Sequence, residues 1–265
     1  MSFIEALILG IIQGLTEFLP VSSSGHLEMG YFFFDAQSDD NLLFSIILHG
    51  ATALSTVVIF RNDIWEIIKD LFKFEWNEST QFTAKIALSM IPVGIVGVFF
   101  EDQISAFFGG NIILVGMMLL LTAAFLSFTY FSKNNEGEVT FKSSFLIGLA
   151  QAIAIMPGIS RSGATISTAI MLGIDKKKAA KFSFLMVLPP ILGAMLLKIK
   201  DFLEAPEVAS GISGMNLSVG FVAAFLAGLL ACQWMISIVQ KGKLIYFAIY
   251  CGIVGAAAVI GGLIW

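Results

Sequence analysis

Residues 13–26 read Gln-Gly-Leu-Thr-Glu-Phe-Leu-Pro-Val-Ser-Ser-Ser-Gly-His, a polar stretch inside the otherwise apolar segment 3–34. A second polar stretch, residues 157–163, reads Pro-Gly-Ile-Ser-Arg-Ser-Gly and interrupts the apolar segment 143–173. Within a bilayer, irregular backbone is tolerated only where protein or a water-filled cavity satisfies its hydrogen bonds. We therefore predict that both segments are re-entrant helix–loop–helix hairpins, each entering and leaving the membrane on one side.

The rest of the chain has the composition of an integral membrane protein. Of its 265 residues, 57% are hydrophobic and 13% are charged, whereas soluble domains average about 25% charged residues. A soluble enzyme is therefore excluded. Spans of about 20 apolar residues cross a bilayer, which predicts an all-α, polytopic membrane domain over 1–265 with the two hairpins and six transmembrane helices. The predicted helices are 42–60, 84–100, 112–131, 182–199, 217–239 and 244–264.

Basic residues are concentrated on one side of this predicted topology. Twelve lie in loops 61–85, 132–142, 174–181 and 240–243, and the opposite side holds Lys198 and Lys200 with acidic loops. The acidic residues are Asp35, Asp39, Asp40, Glu101 and Asp102. The positive-inside rule assigns the basic side to the cytoplasm and both termini to the outside.

The net charge of −4 and the lack of a dense basic surface stretch predict no nucleic-acid partner.

The two hairpins belong to an internal repeat with an offset of 138 residues. Gly10, Gln13, Ser22, Ser24 and Gly25 match Gly148, Gln151, Ser160, Ser162 and Gly163. The repeats cover about 1–138 and 139–265, and each contains a hairpin and three spans. Because three is odd, the second repeat is predicted to be inverted. Inverted repeats bring discontinuous helices together near the midplane, so we expect the two polar loops to form one site.

The first hairpin contains candidate catalytic groups. Gln13 and Glu17 are one helical turn apart and share a face. An ionised Glu within a membrane costs about 2.5–3.5 kcal/mol on insertion scales, which marks it as a functional candidate; a hydrogen-bonded, inert Glu near the interface is the alternative. His26 suits proton transfer or nucleophilic attack, or it caps a helix. His49, in the first full span, could line a cavity or make a helix-packing hydrogen bond.

Small hydroxyl residues and glycines in both loops are predicted to bind an anion. Ser22, Ser23, Ser24 and Gly25 can turn backbone N–H groups and hydroxyls toward one ligand oxygen. The second loop adds Ser160, Ser162 and Gly163 around Arg161, whose planar guanidinium matches phosphate oxygens. The alternative for Arg161 is a salt bridge to Glu17, which would also join the two loops.

Together these groups favour phosphoryl chemistry on a lipid substrate. A carboxylate, hydroxyls, an imidazole and a guanidinium surround a site for a tetrahedral anion inside the membrane. Glu17 with at most one other protein ligand predicts a loosely held Mg²⁺ or Ca²⁺ that takes its other ligands from substrate phosphates and water.

The two motifs, Gln13 to His26 and Pro157 to Gly163, resemble those of the undecaprenyl-diphosphate phosphatases of the bacitracin-resistance type. The resemblance covers essentially the whole chain. It implies a bacterial inner-membrane enzyme that hydrolyses undecaprenyl diphosphate to undecaprenyl phosphate and inorganic phosphate, recycling the carrier lipid for cell-wall synthesis. It also implies divalent-metal dependence, an active site that opens to the outer face, and resistance to bacitracin.

Carried over residue by residue, the resemblance implies roles for four positions. Glu17 is the metal-binding or base-activating carboxylate, and Ser23 is the nucleophile or a water-orienting hydroxyl. His26 is the general acid/base or an alternative nucleophile, and Arg161 is the diphosphate clamp. Position 13 is Gln where other members have Glu, so Glu17 is expected to supply the base.

A transporter or flippase for an anionic lipid is the rival hypothesis, because inverted broken helices are typical of transporters. Transport of an anion gives no reason for Glu17 beside His26, since a carboxylate repels an anionic substrate unless a metal intervenes. The sequence is compatible with a homodimer but does not determine the oligomeric state.

Overall fold

The computed structural model describes residues 1–34, 41–100, 107, 111–132, 136–204 and 212–264; side chains are not described at 41–42, 198–199 and 201–204. Several residues used in the topology prediction lie outside the described residues. They are Asp35, Asp39, Asp40, Glu101, Asp102 and Lys133, together with the side chain of Lys198.

The described residues form α-helices, as the sequence predicts, and no strand. In the first half these are α1 (Phe3–Phe18), α2 (Ser23–Phe33), α3 (Asn41–Ile59), α4 (Arg61–Leu71), α5 (Glu78–Phe99) and α6 (Ile112–Tyr130). In the second half they are α7 (Phe141–Ile153), α8 (Arg161–Met171), α9 (Lys176–Met186), α10 (Leu188–Glu204), α11 (Gly214–Gln240) and α12 (Ile245–Ile264).

The helices confirm a polytopic membrane protein. Within the described ranges, five helical segments are long and apolar enough to cross a bilayer: α5, α6, α11, α12 and the combined segment Lys176–Leu197. A sixth is obtained if α3 and α4, which meet at a bend of 78°, are taken together. This total is compatible with the six predicted crossings.

Both predicted hairpins contain a break between two helices, and serine caps the second helix of each. Pro20 forces the preceding Leu19 into an extended conformation, which ends α1. The Ser22 hydroxyl then accepts the N–H of Gly25 at the start of α2, and the Ser160 hydroxyl accepts the N–H of Gly163 at the start of α8. The same cap at matching positions is the local reason that α2 and α8 begin at Ser23 and Arg161.

The predicted span 182–199 lies within the crossing segment Lys176–Leu197, which begins earlier than predicted and contains a short break. Helix α9 begins at Lys176 because the Asp175 carboxylate accepts the N–H groups of the next turn, so Lys176–Lys178 are helical rather than part of a loop. Helix α9 ends at Met186 and α10 begins at Leu188. Pro189 and Pro190 cause this break, because neither can donate a helical hydrogen bond to the preceding turn.

The predicted loop 61–85 is also wrong, because it contains α4 and the first turns of α5. Asn77 caps α5, which therefore begins at Glu78 rather than at residue 84. On α4, Ile64 and Ile67 pack against the core, whereas Trp65 and Ile68 are exposed. Charged residues lie between these apolar residues, so α4 is an amphipathic helix.

Each hairpin packs against a helix from the other half of the chain. Helix α1 packs along α11, and α7 packs along α5. At the predicted offset of 138 residues α5 corresponds to α11, so the two packing arrangements are equivalent. Helices α6 and α12, which also correspond, pack against one another. The halves are therefore interlocked, and the loops of both hairpins lie in the interior between them.

The α1–α11 contact predicts a large effect for a single methyl group. A Cβ on Gly10 would lie 2.5 Å from the Gly220 carbonyl oxygen and 2.9 Å from the Ala223 Cβ. We expect Gly10→Ala to destabilise the fold by about 1–3 kcal/mol through overpacking, measured by thermal unfolding in detergent. Gly94→Ala on α5 is the matched control, since a Cβ there meets no atom within 4 Å. Equal melting temperatures for the two variants would contradict close packing of α1 on α11.

Candidate functional site

Glu17 is the centre of the polar cluster. Its side chain is only 5% exposed, near the end of α1. The Oε2 atom accepts hydrogen bonds from Gln13 Nε2 at 2.9 Å and from Ser23 Oγ at 2.7 Å, and Oε1 accepts from Arg161 Nη2. The predicted Gln13–Glu17 pair on one helical face is thus present, and the carboxylate is held by both hairpins.

Arg161 joins the second hairpin to the first. It is the first residue of α8 and forms an ion pair with Glu17, as in the salt-bridge alternative. Its Nη1 atom is buried and has no hydrogen-bond partner among the described residues. An unsatisfied buried donor is costly, so Arg161 keeps the capacity to bind an anion while it is paired with Glu17.

The histidine in contact with Glu17 is His49, on α3. Its Nε2 lies 3.5 Å from Glu17 Oε2, and its Nδ1 lies 2.7 Å from the Ser45 carbonyl oxygen. Because a carbonyl only accepts, Nδ1 carries a proton and Nε2 faces the carboxylate. His49 lines a cavity, as one of its two alternatives predicts. Its hydrogen bond to Ser45 lies within α3 and does not join two helices.

His26 is held by different partners. Its Nδ1 lies 2.8 Å from the Ser22 carbonyl oxygen, and its Nε2 lies 2.7 Å from the Tyr250 hydroxyl. The two rings are stacked, with centroids 5.7 Å apart. The sequence placed His26 beside Glu17 because the two are near in sequence. No local signal indicated Tyr250, which comes from α12.

The three predicted anion-binding serines of the first polar stretch have different hydrogen-bond partners. Ser23 donates to Glu17, as described above. The Ser22 hydroxyl accepts the Gly25 N–H at 3.2 Å and lies 3.4 Å from the Ser24 hydroxyl. Ser22 and Gly25 therefore satisfy each other within the helix cap, and Ser24 lies beside them.

The second loop repeats this pattern. The Ser160 hydroxyl accepts the Gly163 N–H at 3.0 Å and lies 3.2 Å from the Ser162 hydroxyl. Ser162 also donates to the Leu19 carbonyl oxygen at 3.4 Å. This contact and the Glu17–Arg161 ion pair bring the two polar loops together, as the repeat predicted.

A cavity of about 310 Å³ lies next to this centre. His49, Gln151 and Arg161 are its polar lining residues, and the other eight are apolar. Two buried acceptors near the cluster, Gln13 Oε1 and Gln151 Oε1, have no hydrogen-bond partner in the part of the chain that the structure describes. Sequence reasoning did not propose Gln151 as a site residue, although its match to Gln13 in the repeat was a usable signal.

The chemistry open to this arrangement is limited to a few steps. Arg161 Nη1 can bind an anionic oxygen, and the Glu17 carboxylate can take a proton from the Ser23 hydroxyl that already donates to it. No group of three or more His, Cys, Asp or Glu side chains in the described ranges could hold a metal ion.

A family model and individual proteins that resemble this chain point to the same family. A family model described as "Bacitracin resistance protein BacA" matches residues 6–257. The undecaprenyl-diphosphatase of Bacteroides thetaiotaomicron is 56% identical over 261 residues, covering 98% of this chain and 99% of that protein. The undecaprenyl-diphosphatase of Methanobrevibacter smithii is 37% identical over 282 residues, covering 99% of each chain.

Proposed function

The chain belongs to the family of BacA bacitracin resistance proteins, and from this premise we propose that it hydrolyses undecaprenyl diphosphate to undecaprenyl phosphate and inorganic phosphate. It is a multi-pass membrane enzyme, an undecaprenyl-diphosphatase, whose substrate is a polyprenyl diphosphate. The observation that carries the proposal is the buried contact of Glu17 with Ser23 and Arg161, within a match to the family over most of the chain.

In the proposed reaction, Arg161 binds the diphosphate. Its Nη1, which has no hydrogen-bond partner among the residues that the structure describes, donates to a phosphate oxygen. Its positive charge stabilises the negative charge that develops on the transferring phosphoryl group. Glu17 orients the guanidinium through the ion pair.

Ser23 is the proposed nucleophile, and Glu17 is its base. The 2.7 Å hydrogen bond from Ser23 Oγ to Glu17 Oε2 supports this assignment. As the bond from Ser23 Oγ to the terminal phosphorus forms, the proton passes to Glu17 and undecaprenyl phosphate leaves with the electrons of the broken P–O bond. Water then attacks the phosphorus of the phosphoserine, the Ser23 Oγ–P bond breaks, and inorganic phosphate is released. The Ser23 oxygen takes the proton back from Glu17, which restores both residues. His26 as acid, base or alternative nucleophile stays a prediction.

A divalent cation fits the donors of this site in chemical type. Glu17, Ser23 Oγ and the unpartnered Gln13 Oε1 are hard oxygen ligands, which Mg²⁺ and Ca²⁺ prefer. With one carboxylate present, the remaining ligands would be substrate phosphates and water, as the sequence predicts. A bound cation would supply charge neutralisation at the diphosphate.

The proposed setting is the bacterial inner membrane, with the active site opening to the outer face. The charge asymmetry of the loops supports this orientation.

The equivalent packing of α1 on α11 and of α7 on α5 supports repeats at about 1–138 and 139–265. The predicted homodimer and the predicted lack of a nucleic-acid partner stay predictions.

Phosphate release by the purified protein in detergent tests the proposed function. We expect inorganic phosphate from undecaprenyl diphosphate in the presence of Mg²⁺ or Ca²⁺, and at least a tenfold lower rate with EDTA, restored by added metal, because the charge on the diphosphate is then less neutralised. Protein with intact melting behaviour that binds the lipid but releases no phosphate would contradict hydrolysis and favour the transporter or flippase.

A further inference from the structure

The cavity next to Glu17 is lined by the second-half counterparts of the polar cluster. At the offset of 138 residues, three pairs of positions correspond. They are Gln13 with Gln151, Glu17 with Ile155, and His49 with Val187. All three second-half members line the cavity of about 310 Å³. The repeat therefore contains two copies of one arrangement, and in the second copy the carboxylate and the imidazole are replaced by aliphatic side chains.

The same replacement occurs at other positions around the cavity. Three further lining residues of the second half are apolar where the matching residue of the first half is threonine. The pairs are Ala154 with Thr16, Pro190 with Thr52, and Ala194 with Thr56. Apart from Gln151 and Arg161, the lining residues of the second half offer no polar side chain to a ligand.

The cavity therefore has an apolar side next to its polar residues His49, Gln151 and Arg161. We propose that the apolar side, the prenyl wall, binds the first isoprene units of the lipid substrate next to the diphosphate, which Arg161 binds. The prenyl wall consists of Ala154, Ile155, Val187, Pro190, Ile191 and Ala194. The inference rests on the proposed function and adds the position of the lipid chain to it.

The size of the cavity agrees with this division. Ligand pockets typically span about 300–1,000 Å³, so a volume of about 310 Å³ suits a headgroup with the first prenyl units and not a whole polyprenyl chain. The rest of the chain would extend into the bilayer. An amphiphilic ligand needs polar and apolar contacts on adjacent atoms, and the cavity provides both, with His49, Gln151 and Arg161 beside the prenyl wall.

The prenyl wall should select for the lipid through binding. One methylene more or less in an apolar pocket changes the preference of an enzyme between two substrates by about tenfold or more. A polar substituent on the ligand would lose its hydrogen bonds to water at the prenyl wall, which has no hydrogen-bonding groups to replace them. The wall contacts the lipid and not the reacting phosphorus. Its removal is therefore expected to raise KM more than it lowers kcat.

The test uses the full-length enzyme in detergent with farnesyl diphosphate as substrate. Ile155→Ala and Ile191→Ala are compared with Ile153→Ala, an equal change at a side chain that is 54% exposed and does not line the cavity. We expect about a tenfold higher KM for the first two variants, a kcat within about twofold of wild type, and no change for Ile153→Ala.

Two competitive inhibitors separate a lipid contact from a general structural disturbance. Farnesyl monophosphate contains both parts of the ligand, and inorganic phosphate contains only the headgroup chemistry. In Ile155→Ala, inhibition by farnesyl monophosphate should weaken about tenfold while inhibition by phosphate stays unchanged. Equal weakening of both, or no weakening of either, overturns the prenyl wall. Absence of phosphate release by the wild-type enzyme would instead count against the proposed function itself.

Discussion

Replacing Arg161 by alanine is expected to lower kcat/KM for undecaprenyl diphosphate by about 10²–10³-fold, the usual effect of removing one donor that stabilises transition-state charge. The same change leaves the buried Glu17 without its ionic partner, which costs about 3–5 kcal/mol of stability. Phosphate release and the melting temperature in detergent are therefore measured on the same preparation.

Two further variants separate the loss of the clamp from a loss of folding. Arg161→Lys keeps the charge but not the planar set of donors, so we expect a stability close to wild type with activity still at least about tenfold lower. Arg61→Ala is the surface control, since Arg61 is exposed and donates to the Val58 carbonyl; its activity should not change. Full activity of a folded Arg161→Ala protein would eliminate the proposed clamp.

Replacing Glu17 by glutamine is expected to lower kcat by about 10²–10⁴-fold, because an amide of similar shape cannot accept the proton of Ser23. Glu66→Gln, at an exposed position on α4, is the matched control and should retain wild-type kcat. Single-turnover phosphate release measures the chemical step without the contribution of product release.

The double variant Glu17→Gln with Ser23→Ala tests whether the two residues act as a unit. Residues that share one step show strongly non-additive effects. We therefore expect the double variant to be no slower than the slower of the single variants. Independent, multiplying losses would show that Ser23 does not depend on Glu17 for activation, and would favour direct attack by water or by His26.

Much of the fold was predictable because its signals are local. Long apolar stretches predicted the crossing helices, and the pairs Pro20 with Ser22 and Pro157 with Ser160 predicted where the hairpins break. The errors are also local in origin. Helix α9 begins earlier than predicted because Asp175 caps it, and Pro189 and Pro190 cause the break between α9 and α10. The amphipathic helix α4 was predicted as a loop because charged residues are frequent in it.

Part of the candidate site was predictable as well. Glu17, Ser23 and Arg161 were identified because polar groups within apolar segments are conspicuous, and the repeat predicted that their loops meet. The prediction placed His26 beside Glu17 on sequence proximity alone. In the structure His49 makes that contact, although it is more distant in sequence, because α3 packs against α1.

The sequence by itself therefore determined the class of protein, the helix breaks within the two predicted hairpins and the residue types available for phosphoryl chemistry. Hydropathy, proline and serine caps act over a few residues, so their effects can be derived without a fold. Only the tertiary structure decided which side chains from different helices meet: His49 at Glu17 and Tyr250 at His26. Such contacts depend on how helices distant in sequence cross, and no local spacing encodes that geometry.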